Sequence, residues 1–265
     1  MCTLTFIPRS DGYYLAMNRD ERIARGPAAP PARMQSGTVT AIYPRDVEGG
    51  TWIGVNEQGM AFALLNWNRH GASTEKTRSR GEIIPALVSL SSFDELQISM
   101  RDADLHGLLP FRLVAISPLE KKVAQWRWDQ RTRLFQAHEW KPRHWFSSSL
   151  SDDLAELQRG AVCRAAWGEP AAGSLPWLRR LHASHEDGPR PFSICVHREY
   201  VRTLSYTEMV CTRQRVSTYY VSGSPCETRL IAHSLGIARQ GSSADRHRSG
   251  ADYLRSNCLD RIVGS

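Results

Sequence analysis

No apolar run in this 265-residue chain approaches the roughly 18 residues that a membrane-spanning helix needs, so no membrane span is expected. The first dozen residues also lack a charged segment leading into an apolar one. No secretory signal is therefore expected, and the cytoplasm is the expected compartment. Cysteine pairs at C-x-x-C spacing are missing. The six cysteines (Cys2, Cys163, Cys195, Cys211, Cys226 and Cys258) are scattered, which predicts reduced thiols rather than a disulfide framework or a zinc site. Lysine is scarce, with 4 among 34 basic residues, although the formal charge is +7. The arginines do not gather into a stripe interleaved with aromatics, and groups such as Arg127 to Arg133 are short, so nucleic-acid binding is not expected.

What remains is an ordinary globular composition, 41% hydrophobic and 23% charged, on a chain long enough to bury a sizeable core. Residues 2–8 alternate and favour β structure, Ser10-Asp11-Gly12 signals a turn, and Tyr13 to Asn18 reads as the returning strand. Pro27 to Pro31 reads as a loop. A second hairpin runs from Thr51 to Asn56, turns at Glu57-Gln58-Gly59 and returns over Met60 to Asn66. Ser79 to Glu82 fits a capping box ahead of an apolar helical stretch. Strands are predicted at Phe111 to Ile116, Lys122 to Trp128, Arg133 to Ala137, Trp145 to Ser148, Phe192 to His197, Arg202 to Thr207 and Val216 to Val221. Helices are predicted at Asp152 to Trp167 and Leu175 to His185. Strands in meander order with helices between them indicate an α+β layered fold. Residues 1–226 read as one domain and residues 227–265 as a polar tail.

The extreme N-terminus is chemically dense. If Met1 is removed, Cys2 carries a thiol and a free amine on one carbon, and Asn18-Arg19-Asp20-Glu21 lies on the strand that returns to it. A loop over Ser10-Asp11-Gly12 puts Cys2 opposite Asp20; a loop over Asp11-Gly12 puts it opposite Glu21 with Arg19 on the diagonal. Either register brings Cys2 beside the cluster, and a one-residue slip exchanges the side chains that share its face. A neighbouring α-amine can take the thiol proton, Arg19 favours the thiolate, and Asp20 can hold the amine by a charge-assisted hydrogen bond. A solvated strand end with ordinary salt links is the competing reading. Farther on, Gly49-Gly50-Thr51-Trp52-Ile53-Gly54-Val55-Asn56 leads into a strand ending on Asn66, whose amide can face a developing oxyanion; a purely structural asparagine is the alternative.

"MC", "NRDE", "GGTWIGVNEQG" and "LLN", in that order, resemble the NRDE-motif family, also called the transport and Golgi organisation family. That family is grouped with the N-terminal-nucleophile hydrolases. GVNEQGMAFALLNW is similar to the matching segment of choloylglycine hydrolases and penicillin V acylases. The strong resemblance covers about residues 1–82. It implies a four-layer αββα sandwich of the N-terminal-nucleophile hydrolase type, with Cys2 as nucleophile once methionine is lost. Asp20 then matches the aspartate near the amine, and Asn66 the oxyanion asparagine. The chain departs from the acylases in carrying Met17 where they have arginine, so Arg19 is not a strict counterpart. It also departs in reading Phe146-Ser147-Ser148 where Leu-Ser-Asn is usual, which leaves Ser148 to donate in place of an amide. No single residue matches the acylases' later arginine; Arg198 and Arg202 are candidates by neighbourhood.

The resulting expectation is an N-terminal-cysteine amidohydrolase or acyltransferase acting on a linear amide through an acyl-thioester. Cys2, Asn18, Arg19, Asp20 and Asn66 are its catalytic set, and Trp52, Trp67 and Ser148 its substrate wall. The alternative is a non-catalytic relative whose cleft, near Trp52 and Trp67, binds or carries a hydrophobic ligand such as haem. A homo-oligomer is compatible with either. The nine histidines include His182 and His185, three apart on a helix, and His138 and His144, flanking Trp140. None has a carboxylate at ligand spacing, so no metal and no cofactor are expected. Ser222 to Glu227 reads as a turn with no base set by sequence to serve Cys226.

Overall fold

A computed structural model describes residues 2–68, 78–185, 191–227 and 232–239. Along the chain these form β1 (Cys2–Arg9), β2 (Gly12–Arg22), β3 (Ala29–Ser36), β4 (Val39–Arg45), β5 (Ile53–Asn56), β6 (Ala61–Asn66), α1 (Ile83–Leu87) and α2 (Phe93–Asp102). There follow β7 (Phe111–Ser117), β8 (Lys122–Trp128), β9 (Arg133–His138), β10 (Arg143–Ser147), α3 (Asp152–Ala166), α4 (Leu175–Ala183), β11 (Val201–Cys211), β12 (Arg215–Ser222) and β13 (Ala232–Ala238).

Two antiparallel sheets result, a six-stranded one in the order β10-β1-β2-β11-β12-β13 and a seven-stranded meander β3 to β9. Alternation gives β1 and β2 two apolar faces. Leu4, Phe6, Leu15 and Met17 point inward and meet Ile53, Val55, Ala63 and Val114 of the other sheet in a central core. Ile7 and Ala16 point outward and pack under α3 and α4 with Ala155, Cys163, Trp177 and Leu178. Phe62, Leu113 and Ala115 on the far face of the second sheet are covered by Ile84, Leu87, Phe93 and Leu96 of α1 and α2. The four layers are α, β, β, α, as the family resemblance implies. Ser92, Ser151 and Ser174 cap α2, α3 and α4 by accepting from the backbone three residues on, which seats each helix start. No helix among the described residues is long and apolar enough to cross a membrane.

Three sequence expectations change. Pro30 and Pro31 lie within β3, not in a loop; β3 is the edge strand of its sheet and its pairing shifts between Ala29 and Ala32, where proline's missing N–H costs no ladder bond. Phe192 to His197 is not a strand, because its polar backbone groups are taken from the side. Ile194 O accepts from Asn18, Cys195 N donates to Ser184 O and Val196 N to Thr203 Oγ1, leaving only an isolated bridge between His197 and Arg202. Within the stretch after Glu227, Ala232–Ala238 pairs with β12 and adds Ile237 to the central core, so this segment is sheet and not tail. Residues 228–231 and 240–265 lie outside the described residues, as does Met1.

Candidate active site

The first hairpin sets the site. Arg9 faces Gly12 across a two-residue turn at Ser10-Asp11, and the ladder then brings Cys2 opposite Arg19, one position short of the nearer of the two expected registers. Gly12 is therefore not a turn residue. It begins β2 where a Cβ would sit 2.0 Å from the Cys211 carbonyl oxygen, so close approach to β11 demands glycine there and moves the turn one residue earlier. On its other side Cys2 pairs with Ser147 of β10.

Cys2 is buried at the end of a cleft of about 90 Å³ whose wall includes Arg19, Asp20, Trp52, Asn66 and Arg80. A close glycine contact shapes that wall. Gly50 and Gly81 meet backbone to backbone, with Thr51 N donating to Gly81 O at 3.1 Å, and a Cβ on Gly81 would stand 2.8 Å from Gly50 Cα. Burial raises the Cys2 thiol above its ordinary value and the Asp20 carboxylate adds to the rise; the Arg19 guanidinium and the Asp20 backbone N–H oppose it.

Arg19 shares the inward face with Cys2. Its guanidinium lies 4.6 Å above the Trp52 ring and 3.9 Å from Glu21, while its buried Nη1 has no hydrogen-bond partner among the described residues; the same is true of Trp52 Nε1. Two donors thus stand unspent beside the thiol.

The carboxylate of Asp20 is held from the helical side of the sheet. Its Oδ1 accepts from Thr203 Oγ1 at 2.7 Å, and its Oδ2 from Arg159 Nη2 at 3.3 Å. Arg159 rises from α3 with no exposure to solvent. Its Nη1 donates to Cys2 O at 3.2 Å and to Thr3 Oγ1 at 2.9 Å, and its Nε to Phe192 O at 3.3 Å. One guanidinium therefore ties the backbone of Cys2 to the carboxylate of Asp20. The sequence reading passes over Arg159. The signal is an arginine on the apolar stripe of a helix, in step with Ala155 and Cys163, where an unpaired charge would be costly.

Asn18, Trp67 and Ser148 are not on the cleft wall. Period-two alternation turns Asn18 to the outer face, where its Nδ2 donates to His182 O at 2.8 Å and to Ile194 O at 2.9 Å. Trp67 is buried with Arg127 stacked 5.2 Å from its ring centroid. Ser148 shapes the entry to α3: its N donates to Asp152 Oδ1 at 2.7 Å, and its Oγ accepts from Leu150 N at 3.3 Å. The residue facing Cys2 is its neighbour Ser147, whose hydroxyl is buried without a partner among the described residues.

Beneath the site runs a chain of hydrogen bonds whose direction is set at its start, because an indole nitrogen only donates. Trp167 Nε1 donates to His144 Nε2 at 3.0 Å, which puts the His144 proton on Nδ1 and aims it at Thr5 Oγ1, 3.0 Å away. Thr5 then donates to His182 Nε2 at 2.9 Å, and His182 Nδ1 to Asn18 Oδ1 at 3.0 Å. Both rings are neutral; burial lowers His144 to about 4 and His182 to about 3.

The sequence pattern of the family described as Transport and Golgi organisation 2 matches residues 1–162. No curated protein sequence matches the chain. Among solved structures, penicillin V acylase from Agrobacterium tumefaciens is similar with a TM-score of 0.52 at 12% identity, over 90% of this chain and 86% of that one. Two variants of conjugated bile acid hydrolase from Clostridium perfringens are similar too. One has a TM-score of 0.50 at 10% identity, covering 91% of this chain and 97% of its own. The other has a TM-score of 0.52 at 9% identity, covering 94% and 100%. At these identities the likeness is one of fold, the N-terminal-nucleophile hydrolase sandwich.

Proposed function

The chain belongs to the Transport and Golgi organisation 2 family, and we propose that it is an N-terminal-cysteine amidohydrolase or acyltransferase acting on a linear amide. The observation that carries this reading is the burial of Cys2 at a cleft it shares with Arg19 and Asn66, with its own carbonyl bonded to the arginine that holds Asp20.

The mechanism begins with removal of Met1. The α-amine so freed, with an ordinary pKa of about 7.7–8.0, takes the proton of the Cys2 thiol, a step the raised thiol requires. The thiolate sulfur attacks the amide carbon. Negative charge that develops on the carbonyl oxygen is met by the Asn66 amide. The tetrahedral adduct collapses with the C–N bond broken, and the α-ammonium returns its proton to the departing amine. The acyl-thioester is then released by water, or by a second amine in the transferase variant, with the α-amine again serving as base.

Arg19 Nη1 and Trp52 Nε1 are donors without partners, and Arg80 makes no ion pair among the described residues. These favour a substrate that carries a carboxylate or an equivalent oxygen anion near the scissile amide. The cleft's 90 Å³ is well under the roughly 300–1,000 Å³ of drug-sized pockets, which favours one end of an extended amide over haem.

The test is a panel of N-acyl amino acids and N-acyl lactones assayed on wild type and Cys2→Ala, with intact-mass spectrometry of both. Wild type is expected to have lost Met1 and to trap an acyl group on Cys2, while Cys2→Ala does neither the trapping nor the turnover. Retention of Met1 in active protein, or equal turnover by Cys2→Ala, rules the reading out.

A further inference from the structure

Away from the cleft, four soft or borderline ligands from three separate segments converge. Cys195 lies in the irregular stretch before β11, His197 in the isolated bridge, Cys226 in the turn after β12, and His185 just beyond α4. His197 Nε2 is 3.1 Å from Cys226 Sγ and 3.5 Å from Cys195 Sγ, and the two sulfurs are 3.6 Å apart. A ring nitrogen of His185 is within 4.8 Å of the ligand atoms of His197 and Cys226, and the two imidazoles stand edge to face with centroids 5.4 Å apart.

We propose that these four side chains form a closed, structural zinc(II) site. In a tetrahedron with metal–sulfur bonds of about 2.3 Å and metal–nitrogen bonds of about 2.0–2.1 Å, sulfur atoms lie about 3.8 Å apart and sulfur and nitrogen about 3.6 Å apart. The three distances among Cys195, Cys226 and His197 are already close to one face of that tetrahedron. A turn of the half-buried His185 ring supplies the fourth corner. A disulfide requires sulfur atoms about 2.05 Å apart, so this pair needs a larger movement to close as a bond than to clasp a metal. Two thiolates and two neutral imidazoles are the donor set that selects zinc among common divalent ions.

Charge and protons balance. Zinc binding releases the two thiol protons, and the two thiolates neutralise the ion. Coordination through His197 Nε2 puts the remaining ring proton on Nδ1, which ends its 3.5 Å contact with Arg202; that guanidinium is already held by Glu227 at 2.6 Å. The site would act as a clasp under the cleft. Val196, between two of its ligands, donates its N–H to Thr203 Oγ1 at 2.8 Å, and Thr203 in turn holds Asp20. Spacing along the sequence hides the cluster because only Cys195 and His197 are neighbours in the chain.

The experiment is elemental analysis of the reduced full chain after loading with zinc and desalting, together with a chelator-competition titration. One zinc per chain is expected, and the cobalt(II)-loaded chain is expected to show thiolate-to-cobalt charge transfer with the intense visible bands of a tetrahedral centre. Cys226→Ser and His185→Ala are each expected to weaken zinc binding by about 100-fold or more, whereas Cys2→Ala keeps full occupancy. Because His185 is half-buried outside any helix or strand, His185→Ala reports on binding even where Cys226→Ser fails to fold. The proposal is overturned by a reduced chain that binds no zinc, by a Cys195–Cys226 disulfide as the resident state, or by undiminished binding in His185→Ala and Cys226→Ser.

Discussion

Arg159 and Asp20 form an ion pair at 3.3 Å in which neither side chain has any exposure to solvent, and the same guanidinium bonds the carbonyl of Cys2. A pair so placed is costly to break from one side, because the surviving charge stays buried without its counterpart. Arg159→Leu is expected to lower unfolding stability by roughly 3–5 kcal/mol. Asp20→Asn keeps one acceptor oxygen but turns an N–H donor toward Arg159 or Thr203 and leaves the guanidinium charge buried without its counterpart, so it should be destabilising as well. Urea denaturation followed by far-ultraviolet circular dichroism measures both, and a loss below about 1 kcal/mol for Arg159→Leu contradicts the assignment.

The Cys2 thiol is raised by burial, so its alkylation by iodoacetamide should climb with pH and reach half its limit above the value of about 8.5 for a free cysteine. Arg19 favours the thiolate. Arg19→Ala should therefore move that midpoint further up, and a midpoint moving down would contradict the position of the guanidinium. Mass mapping of the labelled peptide separates Cys2 from the other thiols.

Asn66 should matter to chemistry more than to binding. If its amide meets the oxyanion, Asn66→Ala lowers kcat by about 10²–10³ while KM changes little. An effect confined to KM would make Asn66 a wall residue instead.

The histidine chain predicts a pH dependence of stability. His144 and His182 are neutral in the fold, with values of about 4 and about 3, against about 6.5 when unfolded. Below pH 6.5 the unfolded chain binds more protons than the folded one, so stability is full above that pH and falls as pH drops toward 4. The slope is at most about 1.4 kcal/mol per pH unit for each ring. Thr5→Val removes the link between the rings, leaving His182 Nε2 and His144 Nδ1 without a partner, and is expected to cost about 1–3 kcal/mol at neutral pH. Equilibrium unfolding at stepped pH, on wild type and Thr5→Val, reads both.

Much of the frame was legible residue by residue. Alternation marked β1 and strand-like runs marked β2, β7 and β8; helical patterns marked α3 and α4. The run from Gly49 to Asn66 marked the second hairpin that carries Trp52 and Asn66 to the cleft. Proline misled at β3, since an edge strand tolerates what a central one does not. The turn misled at Gly12, since a glycine required for close approach looks in sequence like one required by a turn.

By itself the sequence determined the layered fold, the two hairpins and the meeting of Cys2 with the Asn18-to-Glu21 strand, because period, caps and turns act over a few residues. Only the tertiary structure decided that Arg19 and not Asp20 faces Cys2, since register hangs on one residue of turn and on the packing of β11 against Gly12. It alone brought Arg159 from 157 residues away to Cys2, and Cys226 to His197. Such pairings depend on which faces are buried together, and no local pattern encodes that.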